Sequence, residues 1–373
     1  MSPRTVSRAE AVEEAIARNT GRKHCLLVGR GTTAIHLALR AIEASTGRGE
    51  VILPTIACAS IAQVVLYAGF RPVFAEVDLD TLAISVESVE SKLTAQTKAI
   101  MPVHIFGHAA PMAAITALAA ERNVFVIEDA AQAAGGWCDG RPMGGHGDFS
   151  ILSFNGDKII RAGAGGAVLT DDDVLAAKMA ADAQDLPLFS RPLTYALKSL
   201  SHRNMYHSLV DLLRVDARLD VSDMFMSALP LYADLYVQRF PDGPDIREGI
   251  ARGLETLEEH NGLRVERGNR YQELLSGSDV TVPRGWATSG VLWRFSFLVN
   301  DRTRTGAVTQ ALRDEGIHAS NHYWSLADLI YGIKDLPNTA YVCPRIVNLW
   351  VDEAATPEYV VRTCEIVETT LRA

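Results

Sequence analysis

The sequence predicts an α/β protein whose central sheet is mostly parallel. From about residue 22 to residue 185, short apolar runs rich in strand formers alternate with segments in which apolar residues recur at helical spacing. Strands and helices that alternate in this way form parallel sheets covered by helices. Ligands of such sheets bind beyond the carboxyl ends of the strands, so we expect a functional site at that edge.

The individual elements follow from the local patterns. Strands are predicted at HCLLVG, EVILP, PVFAEV, KAIMPVH, VFVIED, FSILSF and GAVLT, and helices at GTTAIHLALRAIEAS, ACASIAQVVLYAG and PMAAITALAAERN. Each strand run is short, apolar and rich in β-branched or aromatic residues, whereas each helix run is longer and follows the helical period.

The alternation of strands and helices stops near residue 186. An aromatic and basic stretch of helical period occupies residues 186–245, and we interpret it as a helical insertion in a large domain that spans residues 1–245. Residues 246–373 are predicted to form a smaller α+β domain. Its elements are a long helix over 246–275, strands at VTVP and VLWRFSFLV, and helices near 303–316 and 357–371.

Composition and charge exclude several classes of function. The chain has 373 residues, of which 48% are hydrophobic and 22% charged, so it can bury a large core. A net charge of −9 without a basic stripe argues against a nucleic-acid partner. No run reaches the ~18 apolar residues of a membrane span, and no signal segment is visible. Five scattered cysteines without a CxxC pair indicate a cytoplasmic protein with no metal site.

Two polar features lie at predicted strand ends. In GRGTTAIHLAL, a glycine turn leads into a helix that begins at Thr32 or Thr33. This helix start suits a phosphate group, although the threonines could equally cap the helix. In VFVIEDAAQA, a buried strand ends at Glu128 and Asp129, and Gln132 follows three residues later. A carboxylate there is costly unless a cation pairs with it, but an aspartate could also cap the next helix.

A third feature is Lys158 in SFNGDKIIRAGAGGAVLT, five residues after Ser153. A strand follows the glycine run, so the run is no dinucleotide fingerprint and instead permits a tight turn beside a bound group. A loop lysine considered alone is usually a solvated charge. A phosphate seat, a carboxylate and a lysine in this order nevertheless match what pyridoxal 5′-phosphate requires, namely an anion site, an acid for its ring nitrogen and an amine for a Schiff base.

The sequence resembles the DegT/DnrJ/EryC1/StrS family of pyridoxal-phosphate-dependent sugar aminotransferases, which have fold type I. The resemblance covers residues 25–175 and rests on several motifs in the same order. They are GTTAIHLAL, VILPTIACASIAQVVLYAGFRPVFAEVD, VHIFGH, IEDAAQAAGG, GRPMGGHGDFSILSF and DKIIRAGAGGAVLTDD. It implies a large cofactor-binding domain with a mostly parallel sheet and a smaller C-terminal α+β domain.

The resemblance also implies roles for individual residues. Lys158 would form the Schiff base with the cofactor, Asp129 would pair with its pyridine nitrogen, and Gln132 would lie near its ring hydroxyl. The implied phosphate ligands are Thr32, Thr33 and Ser153. The catalytic residues would then be Lys158 and Asp129.

The sequence departs from the family pattern at several positions. Cys58 stands where relatives place an aromatic residue against the cofactor ring, and RFPDGPDIR replaces a G-Y-N-Y-R stretch whose asparagine reaches the partner subunit. SNHYWSLADLIYG keeps His322 and Tyr323, which are candidate substrate residues, but has Asp328 or a neighbour where a histidine is common.

The implied activity is transfer of an amino group from glutamate or glutamine to a keto-sugar, nucleotide-sugar or cyclitol in a biosynthetic pathway. A homodimer with the active site at its interface is also implied. Relatives that deoxygenate sugars carry histidine in place of the lysine, so Lys158 argues against that chemistry. A protein that binds the cofactor without turnover is a further alternative. The insertion would cover the core or, alternatively, support a bulky lipid-linked or carrier-bound acceptor.

Overall fold

The computed structural model describes residues 8–189, 193–232, 235–241 and 244–373. In these residues the strands are β1 (His24–Val28), β2 (Glu50–Pro54), β3 (Arg71–Ala75), β4 (Thr97–Ile100), β5 (Phe125–Asp129), β6 (Trp137–Cys138), β7 (Arg141–Pro142), β8 (Phe149–Ser153), β9 (Gly166–Thr170), β10 (Val280–Thr281), β11 (Arg294–Val299), β12 (Ala319–Ser320) and β13 (Ile346–Trp350).

The helices are spread along the whole described chain. They are α1 (Arg8–Thr20), α2 (Gly31–Thr46), α3 (Ala59–Tyr67), α4 (Val86–Lys92), α5 (Met112–Arg122), α6 (Asp173–Gln184), α7 (Leu193–Val215), α8 (Ser222–Tyr232), α9 (Pro244–Glu255), α10 (Leu257–Leu274), α11 (Thr305–Asp314), α12 (Leu326–Tyr331), α13 (Pro337–Val342) and α14 (Pro357–Arg372).

A seven-stranded sheet with the order β1-β9-β8-β5-β4-β2-β3 forms the larger layer. The pairs from β8 to β3 are all parallel, and only β9 runs antiparallel to its neighbours β1 and β8. Every residue of β2, β8 and β9 is buried. Strands buried along their whole length are expected in a sheet that helices cover on both faces. The predicted α/β fold with a mostly parallel sheet is therefore confirmed.

A smaller antiparallel sheet with the order β10-β11-β13-β12 is formed by the C-terminal part of the chain. Its core contains Trp286, Phe295 and Phe297, with α10, α11 and α14 contributing Tyr271, Leu312 and Val367. The α+β character predicted for this part is confirmed, whereas the boundary near residue 245 stays a prediction.

Three C-terminal elements differ from the predicted ones. The single helix expected over 246–275 is divided into α9 and α10 at Thr256. The VTVP strand ends at Thr281, since Pro283 has no N–H to continue a ladder. The sequence pattern did not predict β13, because Asn348 interrupts its apolar run. The side chain of Asn348 is buried and accepts a hydrogen bond from Ser296 Oγ at 2.7 Å.

The predicted insertion at residues 186–245 contains α7 and α8. One set of apolar side chains on α7 and α8, including Leu209, Val210, Leu213 and Phe225, joins the larger core. Within the described part of the chain, no helix combines the length and apolar composition that crossing a membrane requires.

Candidate functional site

A cavity of about 480 Å³ lies at the carboxyl ends of β5 and β8, beneath α7. All but one of the residues predicted for the cofactor line it, as do the candidate substrate residues His322 and Tyr323. The predicted cofactor residues that line it are Thr32, Asp129, Gln132, Ser153 and Lys158. The sheet topology thus brings together residues that are far apart in the sequence, since 126 positions separate Thr32 from Lys158.

Asp129 and Glu128 end the same strand but point to opposite sides of the sheet, as neighbouring strand residues do. Asp129 lines the cavity, is 5% exposed and accepts a hydrogen bond from Ala131 N at 2.9 Å. Burial raises the pKa of Asp129, while the Ala131 amide and the positive charge of Lys158 act in the opposite direction. A carboxyl in this environment is stabilised as an anion when a second cation enters the cavity.

Glu128 belongs to a buried network on the other side of the sheet. Its carboxylate accepts hydrogen bonds of 2.7–2.9 Å from His104 Nε2, Gly144 N, His146 N and Ser150 Oγ. Burial alone would raise the pKa of Glu128, but the His104 side chain and the two amides outweigh it, and the pKa is lowered. Glu128 therefore stabilises the fold as a carboxylate and does not take part in the cavity.

Lys158 lies in the turn between β8 and β9, where its backbone N donates to Asn155 O at 3.0 Å. The side chain is half-buried, and Nζ lies 4.7 Å from the centroid of the Trp293 ring. Among the described residues, Nζ makes no hydrogen bond and no ion pair. The structure thus presents an amine in the cavity that no carboxylate of the described chain neutralises by direct contact.

Glycines bring the start of α2 directly against the end of β8. Gly165 N donates to Gly29 O at 3.0 Å, and Gly165 has φ +98°, which favours glycine. A Cβ on Gly166 would lie 2.4 Å from the carbonyl carbon of Arg30, and a Cβ on Gly31 would lie 3.1 Å from Ser153 Cβ. The glycine run therefore makes the close approach that places Ser153 beside the helix N-terminus.

The two threonines at the start of α2 are placed differently. Thr32 lines the cavity, and its hydroxyl donates to Tyr236 O at 2.6 Å. Thr33 is fully buried; its hydroxyl donates to Tyr236 O at 3.0 Å and accepts from Gln238 N at 2.9 Å. Thr33 is absent from the described cavity lining, so its hydroxyl holds the 236–238 segment over the helix start.

Gln132 is buried and fixes the turn that follows β4. Its Oε1 accepts a hydrogen bond from Phe106 N at 2.7 Å, and Phe106 has a left-handed φ of 57°. The amide nitrogen of Gln132 has no hydrogen-bond partner among the described residues. One end of this side chain is thus structural and the other is available to a ligand.

The structure also places the residues that depart from the family pattern. Cys58 is exposed in the cavity, with Sγ 3.1 Å from Ser60 Oγ. In RFPDGPDIR, Asp242 and Gly243 lie outside the described residues. Asp328 lies outside the lining of this cavity, where it accepts hydrogen bonds from Trp324 Nε1 at 2.9 Å and Lys334 Nζ at 2.5 Å. Asp328 is therefore a structural residue.

The inserted helix α7 forms the opposite wall of the cavity, which the sequence did not predict. Its lining residues recur at i, i+3, i+4, i+7 and i+8, and are Ser199, His202, Arg203, Tyr206 and His207. The same face continues with the buried, apolar Leu209, Val210 and Leu213. This face therefore changes from polar above the cavity to apolar above the core. The sequence feature from which this wall could have been predicted is the polar half of the stripe, which lies in SHRNMYH.

Hydrogen bonds and a ring stack attach α7 to the 320–324 segment. The imidazoles of His207 and His322 stack with centroids 4.0 Å apart and an interplanar angle of 13°. Tyr206 Oη donates to His322 O at 2.7 Å, and His322 Nε2 lies 3.3 Å from Asp211 Oδ1. Burial and the neighbouring His207 lower the pKa of His322 to about 4. Burial also lowers the pKa of His207, so both stacked rings are uncharged near neutral pH.

Tyr323 and His202 extend the ring-bearing lining of the cavity. Tyr323 packs edge-on against Phe106 with centroids 4.6 Å apart, and burial raises its pKa. His202 Nε2 lies 2.9 Å from Tyr236 Oη and 3.0 Å from Gln63 Nε2, and burial lowers the pKa of His202 to about 4. These side chains supply rings to the cavity, in which Cys58 occupies the position predicted to face the cofactor ring.

Comparisons with known proteins agree with this architecture. The DegT/DnrJ/EryC1/StrS aminotransferase family profile matches residues 4–188. GDP-perosamine synthase of Escherichia coli O157:H7 is 36% identical over 60% of this chain, and the match spans 60% of that protein's own length.

Two further relatives are matched over more of their length. UDP-N-acetyl-3-dehydro-alpha-D-glucosamine 3-aminotransferase of Acidithiobacillus ferrooxidans is 34% identical over 85% of this chain and 74% of its own. A DegT DnrJ EryC1 StrS aminotransferase structure from Brucella abortus superposes with a TM-score of 0.76, at 24% identity over 98% of this chain and 91% of that one. Because a relative above 30% identity is matched over most of both chains, this protein belongs to the DegT/DnrJ/EryC1/StrS aminotransferase family.

Proposed function

We propose that the protein is a pyridoxal-phosphate-dependent aminotransferase that moves an amino group from glutamate or glutamine to a keto-sugar, nucleotide-sugar or cyclitol. The observation that carries the proposal is the shared cavity, where Lys158 and Asp129 meet Ser153 and the start of α2. The names of the relatives, a GDP-perosamine synthase and a UDP-sugar aminotransferase, support an acceptor of the sugar class.

The residues of the cavity fit the cofactor in charge and in shape. Asp129 is a buried carboxyl whose hydrogen-bond partner among the described residues is Ala131 N, and a protonated ring nitrogen would give it the cation that it lacks. The seat formed by Thr32, Ser153 and the start of α2 suits a phosphate, because Arg30 at the N-cap has no side-chain acceptor for the first N–H groups of the helix. The amide nitrogen of Gln132 would meet the ring hydroxyl.

When bound, pyridoxal phosphate supplies an electron sink for negative charge that develops at the substrate's α-carbon. Nζ of Lys158 would hold the cofactor covalently until the amine of the donor displaces it. The released lysine amine would then take the proton from the α-carbon of the donor as a general base and later return one as a general acid. The Asp129 carboxylate would stabilise the positive charge at the ring nitrogen. The overall exchange converts the donor to its 2-oxo acid and the acceptor's keto carbon to an amine.

Helix α7 closes the cavity from the side opposite to the sheet. Tyr206 and His207 attach it to the 320–324 segment, so we propose that it excludes water from the reacting atoms and contacts the acceptor. His322 and Tyr323 would contact substrate from the same side.

We further propose a cytoplasmic homodimer whose active sites lie at the interface. Exposed apolar side chains concentrate on α7, α8 and the segment between them, including Leu197, Leu200, Leu212, Val215, Met224 and Leu231. Apolar surface of this kind supports an interface with another chain. All five cysteines are free thiols, which supports a reducing compartment.

The test is an absorbance spectrum of the protein after incubation with pyridoxal phosphate and removal of the excess. A visible band that shifts to shorter wavelength on addition of glutamate or glutamine, with stoichiometric release of the 2-oxo acid, is the expected result. A protein that retains no band would contradict the proposed cofactor. A band that neither donor changes would contradict the proposed transamination with these donors.

A further inference from the structure

Trp293 contacts Lys158 through the face of its indole ring. Lys158 Nζ lies 4.7 Å from the ring centroid, and no hydrogen bond or ion pair to Nζ exists within the described parts of the chain. An ammonium group at this distance from an aromatic face is attracted to the ring quadrupole, and tryptophan gives the strongest interaction of this kind. The indole ring is therefore the group that stabilises the lysine's positive charge by direct contact.

The indole ring is also attached to the turn that carries the lysine. Trp293 Nε1 donates to the carbonyl oxygen of Asp157 at 2.6 Å, and Asp157 is the residue immediately before Lys158. One side chain thus fixes the backbone of the turn and receives the side chain that follows. Trp293 itself is 5% exposed, so the ring lies in the protein interior.

The turn after β4 holds Trp293 in place from the other side. Trp293 N donates to Phe106 O at 2.8 Å, and the two rings are nearly parallel, with centroids 6.3 Å apart and an angle of 6°. Phe106 is in turn fixed by Gln132 through its own N–H. A Cβ on Gly107 would lie 2.8 Å from Val291 O, so this turn must approach the segment before Trp293 closely. The orientation of the indole is thus determined by its surroundings.

A second cation lies near the same ring. The guanidinium of Arg294 is 4.3 Å from the Trp293 centroid and 4.0 Å from that of Trp350. Its charge opposes that of the lysine, while Asp129 attracts the lysine toward the cavity. The ring therefore attracts the ammonium group, which forms no ion pair with a carboxylate of the described residues.

We propose that Trp293 is a positioning residue for Lys158, whose indole face holds the lysine ammonium group during the part of the cycle in which the amine is not bonded to the cofactor. The proposal rests on the aminotransferase function proposed above. It assigns a role to a residue of the C-terminal sheet, which lies 135 positions after the lysine in the chain.

The experiment measures how fast Lys158 reacts in cofactor-free protein. The amine reagent trinitrobenzenesulfonate is added at neutral pH, and the labelled peptides are quantified by mass spectrometry. Lys178, which pairs with Asp182 at 2.5 Å, serves as the internal standard in the same digest. Relative to Lys178, we expect about fivefold faster labelling of Lys158 in Trp293→Leu, since a contact of about 1 kcal/mol corresponds to that ratio. Trp293→Phe keeps an aromatic face and should stay close to the parent.

A shape-conserving series covers the case in which Trp293→Leu fails to fold. Fluorinated tryptophans placed at position 293 alone weaken the negative face of the ring stepwise, so labelling of Lys158 should accelerate with each added fluorine. Equal labelling rates across this series, or in Trp293→Leu and the parent, would overturn the proposal. The readout uses no cofactor and no substrate. A parent protein that fails to bind pyridoxal phosphate would therefore refute the proposed function without altering this result.

Discussion

One wall of the cavity is part of the seven-stranded sheet, whereas the other is one face of a single inserted helix. The strand-end wall comprises the predicted cofactor residues that line the cavity, namely Thr32, Asp129, Gln132, Ser153 and Lys158. The helical wall comprises the lining residues of α7, namely Ser199, His202, Arg203, Tyr206 and His207. The first wall carries the groups that suit a cofactor and the second faces it across the cavity. Changes in the two walls should therefore affect different steps.

The largest effect is expected from Asp129→Asn in the strand-end wall. An amide cannot hold a positive charge at the cofactor's ring nitrogen, so turnover should fall by about 10²–10³-fold whichever acceptor is offered. The measurement is single-turnover reaction with glutamate, followed by absorbance. Turnover near that of the parent would show that another acid serves the ring nitrogen.

Glu128→Gln is the matched control on the same strand, because Glu128 faces the buried network and not the cavity. We expect it to cost stability, on the order of 2–4 kcal/mol, since a buried carboxylate with four donors is replaced by an amide. The folded pKa of Glu128 is lowered, so its stabilisation is present above the unfolded pKa of about 4.3 and is lost as the pH falls below that value.

Urea unfolding of the parent and of Glu128→Gln at pH 7 and at acidic pH measures this difference. The two proteins should differ most at pH 7 and converge in acid. The opposite result would be a Glu128→Gln protein that is as stable as the parent but has lost turnover to the same extent as Asp129→Asn. It would contradict the assignment of Glu128 to the fold and of Asp129 to the cavity.

A smaller effect is expected from Arg203→Ala in the helical wall. Arg203 is exposed, lines the cavity and forms no ion pair among the described residues. Loss of one charge-assisted hydrogen bond to an anionic acceptor should raise its KM about tenfold, while affinity for pyridoxal phosphate stays unchanged. Arg218→Ala is the control, because Arg218 pairs with Asp216 at 2.8 Å outside the cavity lining. Weakened cofactor binding with an unchanged KM for the acceptor would contradict this role and show that Arg203 contacts the cofactor instead.

The smallest effect concerns the attachment of α7 through His322. Its folded pKa of about 4 lies below the unfolded value of about 6.5, so the uncharged stack contributes stability above pH 6.5 and loses it as the pH falls toward 4. The charged and titratable groups that act on His322 are His207, Asp211 and Arg214 on α7 together with Arg313 on α11. His322→Phe keeps a ring in the stack and removes this titration.

Melting temperatures of the parent and of His322→Phe between pH 7 and pH 5 provide the measurement. We expect the parent to lose more stability over this interval than the variant does. Parallel pH profiles for the two proteins would show that the stack does not respond to protonation of His322.

The difference between the walls also explains what the sequence could predict. The apolar patterns of β5 and β8 are local in the sequence, and these strands lead to Asp129, Ser153 and Lys158. The position of these residues at one edge of the sheet can therefore be predicted from strand topology alone. The α7 residues reach the cavity only because the insertion folds back over it, and its helical period is equally typical of a helix that covers a core. The role of Thr33 at the phosphate stays a prediction. Its contact with the 236–238 segment could not be predicted, because that segment is 203 or more residues away in sequence.

Borohydride reduction of the protein incubated with pyridoxal phosphate, followed by peptide mapping, would locate the covalently attached cofactor. We predict that the phosphopyridoxyl mass appears on the peptide containing Lys158 and is absent from Lys158→Ala, while Lys178→Ala labels as the parent does. Attachment to a lysine outside the cavity, or undiminished attachment in Lys158→Ala, would contradict the assignment of the strand-end wall as the cofactor site.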